Sequence, residues 1–438
     1  MSNPLNADEA RDFLRASGLV YYDDFLVDLP SEPQDAPLSA ASEEERRELA
    51  RFRDFAASIA SEDGPVYLGA GDYDHRAPSS VDRLAAQLEF HRSSSEGREE
   101  LSNELQKAVF LFQRRVCRLS GTASANVSLY RGGSALGQAC LFAVEATGRE
   151  LIVAPETLSP ETLSRLDAYA RAGSFELRTV PSRDGLTDLD ALCKTLETDG
   201  KRTAAVVAPY PNFYGCLERV GRIAEATRAV GALLVMAVDP VALAILRSPA
   251  EWGADLVASD VHAIPARSEK GNVRLGFVAA SRRFLENAPP NLTRRVKTRF
   301  GDWELCLARD FGRGVRPTSP IGARALDPLR SLVHLAYADE RDLRLAAKTS
   351  HERARRAHDA LARAGFEFLY DAPFLREFAV KVADPAGALT YLEKWGIAGG
   401  YKLDDGLLLA FTEKRDEEEI EELVYFMVEY RDRAGRAK

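Results

Sequence analysis

From about residue 65 to 290, short runs of Val, Leu, Ile and Ala alternate with stretches of helical spacing. GRELIVAP, FELRTVP, TAAVVAPYP, ALLVMAVDP, DLVASDV and GFVAAS read as strands; SPETLSRLDAYARAG, DLDALCKTLETDG and RVGRIAEATRAVG read as helices. Strands that are apolar at successive positions are buried on both faces, and helices between them supply the cover, so this region predicts a mostly parallel sheet between helical layers. Gly173 and Gly231 stand where two of the helices end, the position that favours a left-handed residue. Residues 1–64 predict a helical arm: ADEARDFLRASG, a proline-rich link, and SEEERRELARFRDFAASIA, which opens on Ser42 and Glu45 as a capping box. Residues 291–322 read as an irregular, basic connector. Residues 323–438 begin with a long helical stretch and continue strand, helix, strand, helix, a small α+β domain. The fold class expected is therefore α/β, with an N-terminal arm and a C-terminal α+β domain.

Composition narrows the function. The chain has 438 residues, 45% hydrophobic and 29% charged, which is ordinary for a globular protein. Lys and Arg total 58 against 67 Asp and Glu, a net charge of -9, the wrong sign for a general nucleic-acid or anionic-membrane binder. No apolar run nears the ~20 residues of a membrane span, and the first residues lack the basic-then-apolar start of a secretion signal. The cysteines (Cys117, Cys140, Cys193, Cys216 and Cys306) form no CxxC pair, as in a reducing compartment. These features predict a cytoplasmic enzyme or enzyme subunit.

Three features of the large domain could carry chemistry. Tyr130-Arg131-Gly132-Gly133-Ser134 opens a helix, where glycines let backbone N–H groups approach a phosphate; a plain tight turn explains the glycines equally well. Asp239 ends the run ALLVMAV, at the strand end where open α/β sheets bind ligands, although an aspartate there can simply cap a turn. His262 follows the run ADLVAS, with a loop-end histidine as the bland alternative. Their order is the layout of the aspartate-aminotransferase type of pyridoxal-phosphate fold. In that layout the glycine turn holds phosphate, the aspartate pairs with the ring nitrogen, and a lysine just after the third point forms the Schiff base. Here HAIPARSEKG places Pro265, Arg267 and Ser268 where the lysine is expected, with Lys270 displaced from register. The scaffold reads as kept and the covalent anchor as lost. Asp72, Asp74 and His75 resemble metal ligands, but a glycine-flanked loop more often makes turns, and no metal is expected. GxSxG, HExxH and P-loop motifs do not occur.

Five segments carry a resemblance: YLGAGDYDHRAPSSVDRL (67–84), LSGTASANVSLYRGGSALGQA (119–139), VVAPYPNFYGCLE (206–218), GALLVMAVDPVALAILRSPAEWGADLV (231–257) and GIAGGYKLDDGLLLAFTEKRDEEEI (396–420). The chain resembles subunit 1 of the two-subunit glycine dehydrogenase (decarboxylating), the P-protein family of the glycine cleavage system, an oxidoreductase class. The resemblance implies an assembly with a homologous subunit 2 that carries pyridoxal phosphate, none covalently bound to this chain, and transfer of an aminomethyl group to the lipoyl arm of the acidic H-protein. The basic stretch from Arg294 to Arg316 would suit that carrier. A remnant cofactor pocket is expected from Gly132, Gly133, Ser134, Asp239 and His262, with Tyr130, Arg131, Asn212, Tyr214 and Arg267 at its rim. The chain departs from the family pattern at 91–105, at Arg131, at 262–275 and at 316–324, all facing that pocket. Two alternatives therefore stay open. One is a stand-alone enzyme with a rewritten pocket, in which Lys270 would be the amine. The other is a non-catalytic homodimer.

Overall fold

The computed structural model describes residues 64–71, 73–76, 80–81, 83–87, 103–126, 134–261, 275–287, 293–297, 303–307 and 326–436. The expected arm over 1–64 thus lies almost wholly outside the described residues, as do Tyr130, Arg131, Gly132, Gly133, His262, Arg267 and Lys270.

A seven-stranded sheet forms the centre. It comprises β1 (Ser124–Ala125), β2 (Leu151–Pro155), β3 (Glu176–Val180), β6 (Thr203–Tyr210), β7 (Leu233–Val238), β8 (Leu256–Val261) and β9 (Leu275–Ala280), in the order β1-β9-β8-β7-β6-β2-β3. The strands β4 (Ser182–Arg183) and β5 (Leu186–Thr187) make a separate small hairpin. From β8 to β3 every pairing in the sheet is parallel, while β9 runs antiparallel to both its neighbours. Every residue of β2, β6 and β9 is buried, as the unbroken apolar runs predict. Alternation then sorts side chains between two cores. Leu151, Val153, Val206, Met236 and Phe277 face one helical layer, built from α1 (Asn103–Ser120), α4 (Leu189–Asp199) and α5 (Val220–Ala229). Ile152, Ala154, Val207, Val235 and Val278 face the other, built from α2 (Ser134–Thr147) and α3 (Pro160–Arg171).

Local signals set the helix ends. Ser159 Oγ accepts the Thr162 N–H at 3.1 Å ahead of Pro160, and Gly173 at φ +76° lies just past the end of α3. Asp188 caps α4 by accepting from Asp190 and Ala191, and a Ser248–Glu251 capping box opens the short α6 (Pro249–Trp252).

Three boundaries differ from expectation. The helix α7 (Leu326–Tyr337) and the start of α8 (Glu340–Arg363) contribute Leu329, Leu332, Val333, Leu343 and Ala347 to the large-domain core. The second half of α8 contributes Ala354, Ala357 and Leu361 to the C-terminal core, so the domains divide inside one continuous helix instead of at residue 323. No composition change marks that point, because one amphipathic stripe serves both cores. Residues 65–67 belong to the C-terminal domain and not to the large one: Tyr67 is fully buried there, and its N–H donates to Ala398 O at 2.8 Å. Finally, the stretch read as an irregular connector holds an antiparallel pair, β10 (Thr293–Lys297) with β11 (Trp303–Leu307). The apolar positions Trp303, Leu305 and Leu307 alternate with Glu304 and Cys306, a period-two pattern too short to stand out between the arginines that flank it.

The C-terminal domain is a three-stranded antiparallel sheet, β12 (Glu377–Lys381), β14 (Gly406–Ala410) and β13 (Tyr401–Lys402), in that order, packed by α8, α9 (Pro385–Glu393) and α10 (Glu417–Arg436). Phe378, Leu409, Phe411 and Met427 fill its centre.

Candidate functional site

A cleft of about 150 Å³ opens at the C-terminal ends of β6, β7 and β8. The large domain lines it with Leu136, Ser159, Pro209, Ala237, Asp239 and Ser259; the segment before the large domain closes it with Ala70 and Tyr73, and the C-terminal domain with Glu377. This is where an open α/β sheet binds ligands, since strand ends and the first turns of helices converge there. Its volume falls below the roughly 300 Å³ at which ligand pockets usually begin.

Asp239 follows β7 and lines the cleft, and its carboxylate is already engaged. Oδ1 accepts the backbone N–H groups of Val241 at 2.8 Å and Ala242 at 3.2 Å, capping the turn at Ala242–Ala244. Oδ2 forms an ion pair with the guanidinium of Arg376. Arg376 stands just before β12, is only 2% exposed, and lies with its guanidinium 3.6 Å from the centre of the Tyr73 ring, a cation–π contact.

The chain of contacts continues outward. An Arg376 N–H donates to His75 Nε2 at 2.8 Å. Guanidinium has no lone pair to offer, so Nε2 must be the acceptor and the imidazole proton sits on Nδ1. That Nδ1–H donates to Glu413 Oε2 at 2.7 Å, and the other Glu413 oxygen accepts the Arg76 N–H at 2.6 Å. His75 is therefore neutral by geometry, and burial also holds its pKa below the ordinary value. Burial opposes the charge on Glu413, but the hydrogen bonds from His75 and the Arg76 N–H outweigh it and hold the carboxyl at about 2. The Arg376 cation is thus flanked by the Asp239 carboxylate on one side and, through neutral His75, by the Glu413 carboxylate on the other.

A second buried carboxylate, Glu377, lines the same cleft. It accepts from the Tyr73 hydroxyl and, at 2.9 Å, from the Ala70 N–H. Burial raises the pKa values of both Glu377 and Tyr73. Asp74, one of the weighed metal ligands, instead pairs with Lys414 and Arg415.

Asn212 borders the cleft, and its side chain organises the PYPNFYG loop. Nδ2 donates to Gly185 O at 2.7 Å and Glu218 Oε1 at 3.0 Å, while Oδ1 accepts from the Tyr214 and Cys216 N–H groups. Tyr214, expected at the rim, packs on Tyr370 at 4.7 Å instead, and its neighbour Phe213 takes the lining position. The loop is pinned to the C-terminal domain by Leu375 N–H to Gly215 O and Leu217 N–H to Pro373 O. Ser134 is the first residue of α2. Sequence reasoning missed Arg376, Glu377, Tyr73 and Ser259. Arg376 sits in an unremarkable strand start, REFAVKV, and only the packing of two domains brings it to Asp239.

The residues present do not fit a protonated pyridine ring at Asp239. Both carboxylate oxygens have partners, and the ring cation would meet a buried guanidinium. Two unit charges of like sign about 4 Å apart repel by roughly 4 kcal/mol at an effective dielectric constant of ~20.

Comparison with known proteins matches residues 3–427 to the family model of the glycine cleavage system P-protein. A "probable glycine dehydrogenase (decarboxylating) subunit 1" from Carboxydothermus hydrogenoformans is 34% identical, covering 96% of this chain and 98% of that protein. A protein of the same description from Syntrophomonas wolfei is 35% identical, covering 83% of each chain. Among solved structures, the inhibitor-bound glycine decarboxylase (P-protein) of the glycine cleavage system superposes with a TM-score of 0.74 at 28% identity, covering 98% of this chain and 100% of that one. A NifS-like protein at 13% identity and a TM-score of 0.60 shares the fold. With its sheet order, its cleft at the strand ends and these matches over nearly its whole length, the chain belongs to the glycine cleavage system P-protein family.

Proposed function

We propose that this chain is the subunit of a two-subunit glycine decarboxylase that does not carry the cofactor. In this reading a homologous subunit 2 holds pyridoxal phosphate, which supplies the electron sink for decarboxylation. The pair removes CO2 from glycine and passes the aminomethyl group to the lipoyl arm of the H-protein. Subunit 1 contributes architecture and completes the partner's site. The observation that carries this reading is the ion pair between Asp239 and buried Arg376, which occupies the carboxylate a cofactor ring would need. The displaced Lys270 agrees with it. The chain is read as cytoplasmic; among the described residues no helix is long and apolar enough to cross a membrane.

Reconstitution tests the proposal. The purified chain is mixed with the lysine-bearing homologue from the same genome and a lipoylated carrier, and exchange of labelled CO2 into glycine is followed. Exchange should need both chains. Exchange by this chain alone, or by the homologue at full rate without it, would contradict the assignment.

A further inference from the structure

We infer that Arg376 acts as a built-in cation at Asp239, so that this cleft rejects a protonated pyridine ring whether or not an amine lies within reach. The inference rests on the reading that pyridoxal phosphate belongs to the partner subunit, and goes further by naming the residue that enforces it. Loss of a lysine removes only a covalent bond; the carboxylate that pairs with the ring nitrogen would remain and could still hold the ring. Here that carboxylate is neutralised from inside the protein.

Four observations support a dedicated role for the guanidinium. It is almost wholly buried, so its charge is poorly screened and must be matched by protein groups. Its match is Asp239 Oδ2, and the other Asp239 oxygen is held by two backbone N–H groups, which fixes the carboxylate toward the arginine. The arginine is itself fixed, by His75 Nε2 and the Tyr73 ring, each on the short 73–76 segment. Finally, Arg376 comes from the C-terminal domain and Asp239 from the large domain, so the pair also bridges the two domains across the cleft. The cleft keeps a buried hydroxyl, Ser259 Oγ, without a hydrogen-bond partner.

The test compares wild type, Arg376→Gln and Arg376→Lys with two probes: pyridoxal 5′-phosphate, and its 1-deaza analogue, in which a ring C–H replaces the nitrogen. Binding is read by fluorescence titration on chains whose melting curves show them folded. Arg376→Gln should gain about tenfold or more in affinity for pyridoxal phosphate and nothing for the deaza analogue. Arg376→Lys, which keeps the cation, should stay like wild type. Equal affinity of wild type and Arg376→Gln for pyridoxal phosphate, or an equal gain for both probes, would overturn the inference while leaving the subunit assignment intact. Stoichiometric trapping of pyridoxal phosphate on the wild-type chain by borohydride would instead overturn the assignment itself. Should Arg376→Gln fail to fold, the Asp239→Asn/Arg376→Gln double variant decides: a matched pair predicts that removing both charges recovers part of the lost stability. No recovery would refute the pairing.

Discussion

Arg376 serves three partners at once, and each would be left unmatched by its removal. Asp239 would be a partly buried carboxylate without a counter-charge, His75 Nε2 would lose its donor, and the Tyr73 face would lose its cation. Breaking a buried ion pair from one side costs about 3–5 kcal/mol. Arg376→Leu should therefore lower the unfolding free energy by roughly that amount in urea titration, whereas a loss under ~1 kcal/mol would mean the network contributes little. The histidines give a second prediction. Burial holds His75 below its ordinary value and pushes His334 down to about 4. Below about pH 6.5 the unfolded chain takes up protons at both positions that the native state refuses. Stability is thus complete above that pH and declines as pH drops toward 4, with His334 alone accounting for roughly 3 kcal/mol at full depression. Melting temperature should fall from pH 7 to about pH 5, and less steeply in a His75→Gln/His334→Leu variant; equal slopes in the two proteins would refute the assignment. Asp239 was legible from sequence because strand-end position alone marks it. Arg376 was not, because its role comes from a contact between residues far apart in the chain, and nothing in REFAVKV signals a buried cation.

The elements that build the cleft were readable where hydrophobic period was clear. All six strand runs of the large domain form strands: the mainly apolar ones have few other ways to be buried between helices, while β3, largely exposed, closes the sheet's edge. The boundary inside α8 and the hairpin β10–β11 were not readable: one helix can feed two cores without any break in its pattern, and two five-residue strands, one of them TRRVK, carry only a faint alternation. The loop after β6 gives a prediction at this scale. Gly215 adopts φ +78°, and a Cβ there would stand 2.1 Å from the Glu377 carbonyl oxygen. Backbone cannot yield as a side-chain tip can, so Gly215→Ala should cost at least ~2 kcal/mol through left-handed strain and forced separation of the loop from β12. A melting temperature within a degree or so of wild type would show that this junction is softer than the geometry implies.

At the scale of the whole molecule, the cleft is closed by the C-terminal domain through backbone pairing at Gly215–Leu217 and charge pairing at Asp239. On the proposed role, this junction would hold the cleft in one shape for the partner subunit. Two backbone hydrogen bonds and one ion pair fasten the two domains across the cleft. Assembly with the lysine-bearing homologue should therefore leave the Asp239–Arg376 contact in place. The measurement that bears most directly on this account is intact mass spectrometry after pyridoxal phosphate and borohydride treatment of the reconstituted pair. One reduced adduct on the partner and none on this chain is the predicted result. A single stoichiometric adduct on this chain, mapped to Lys270 or any other amine of its cleft, would contradict it.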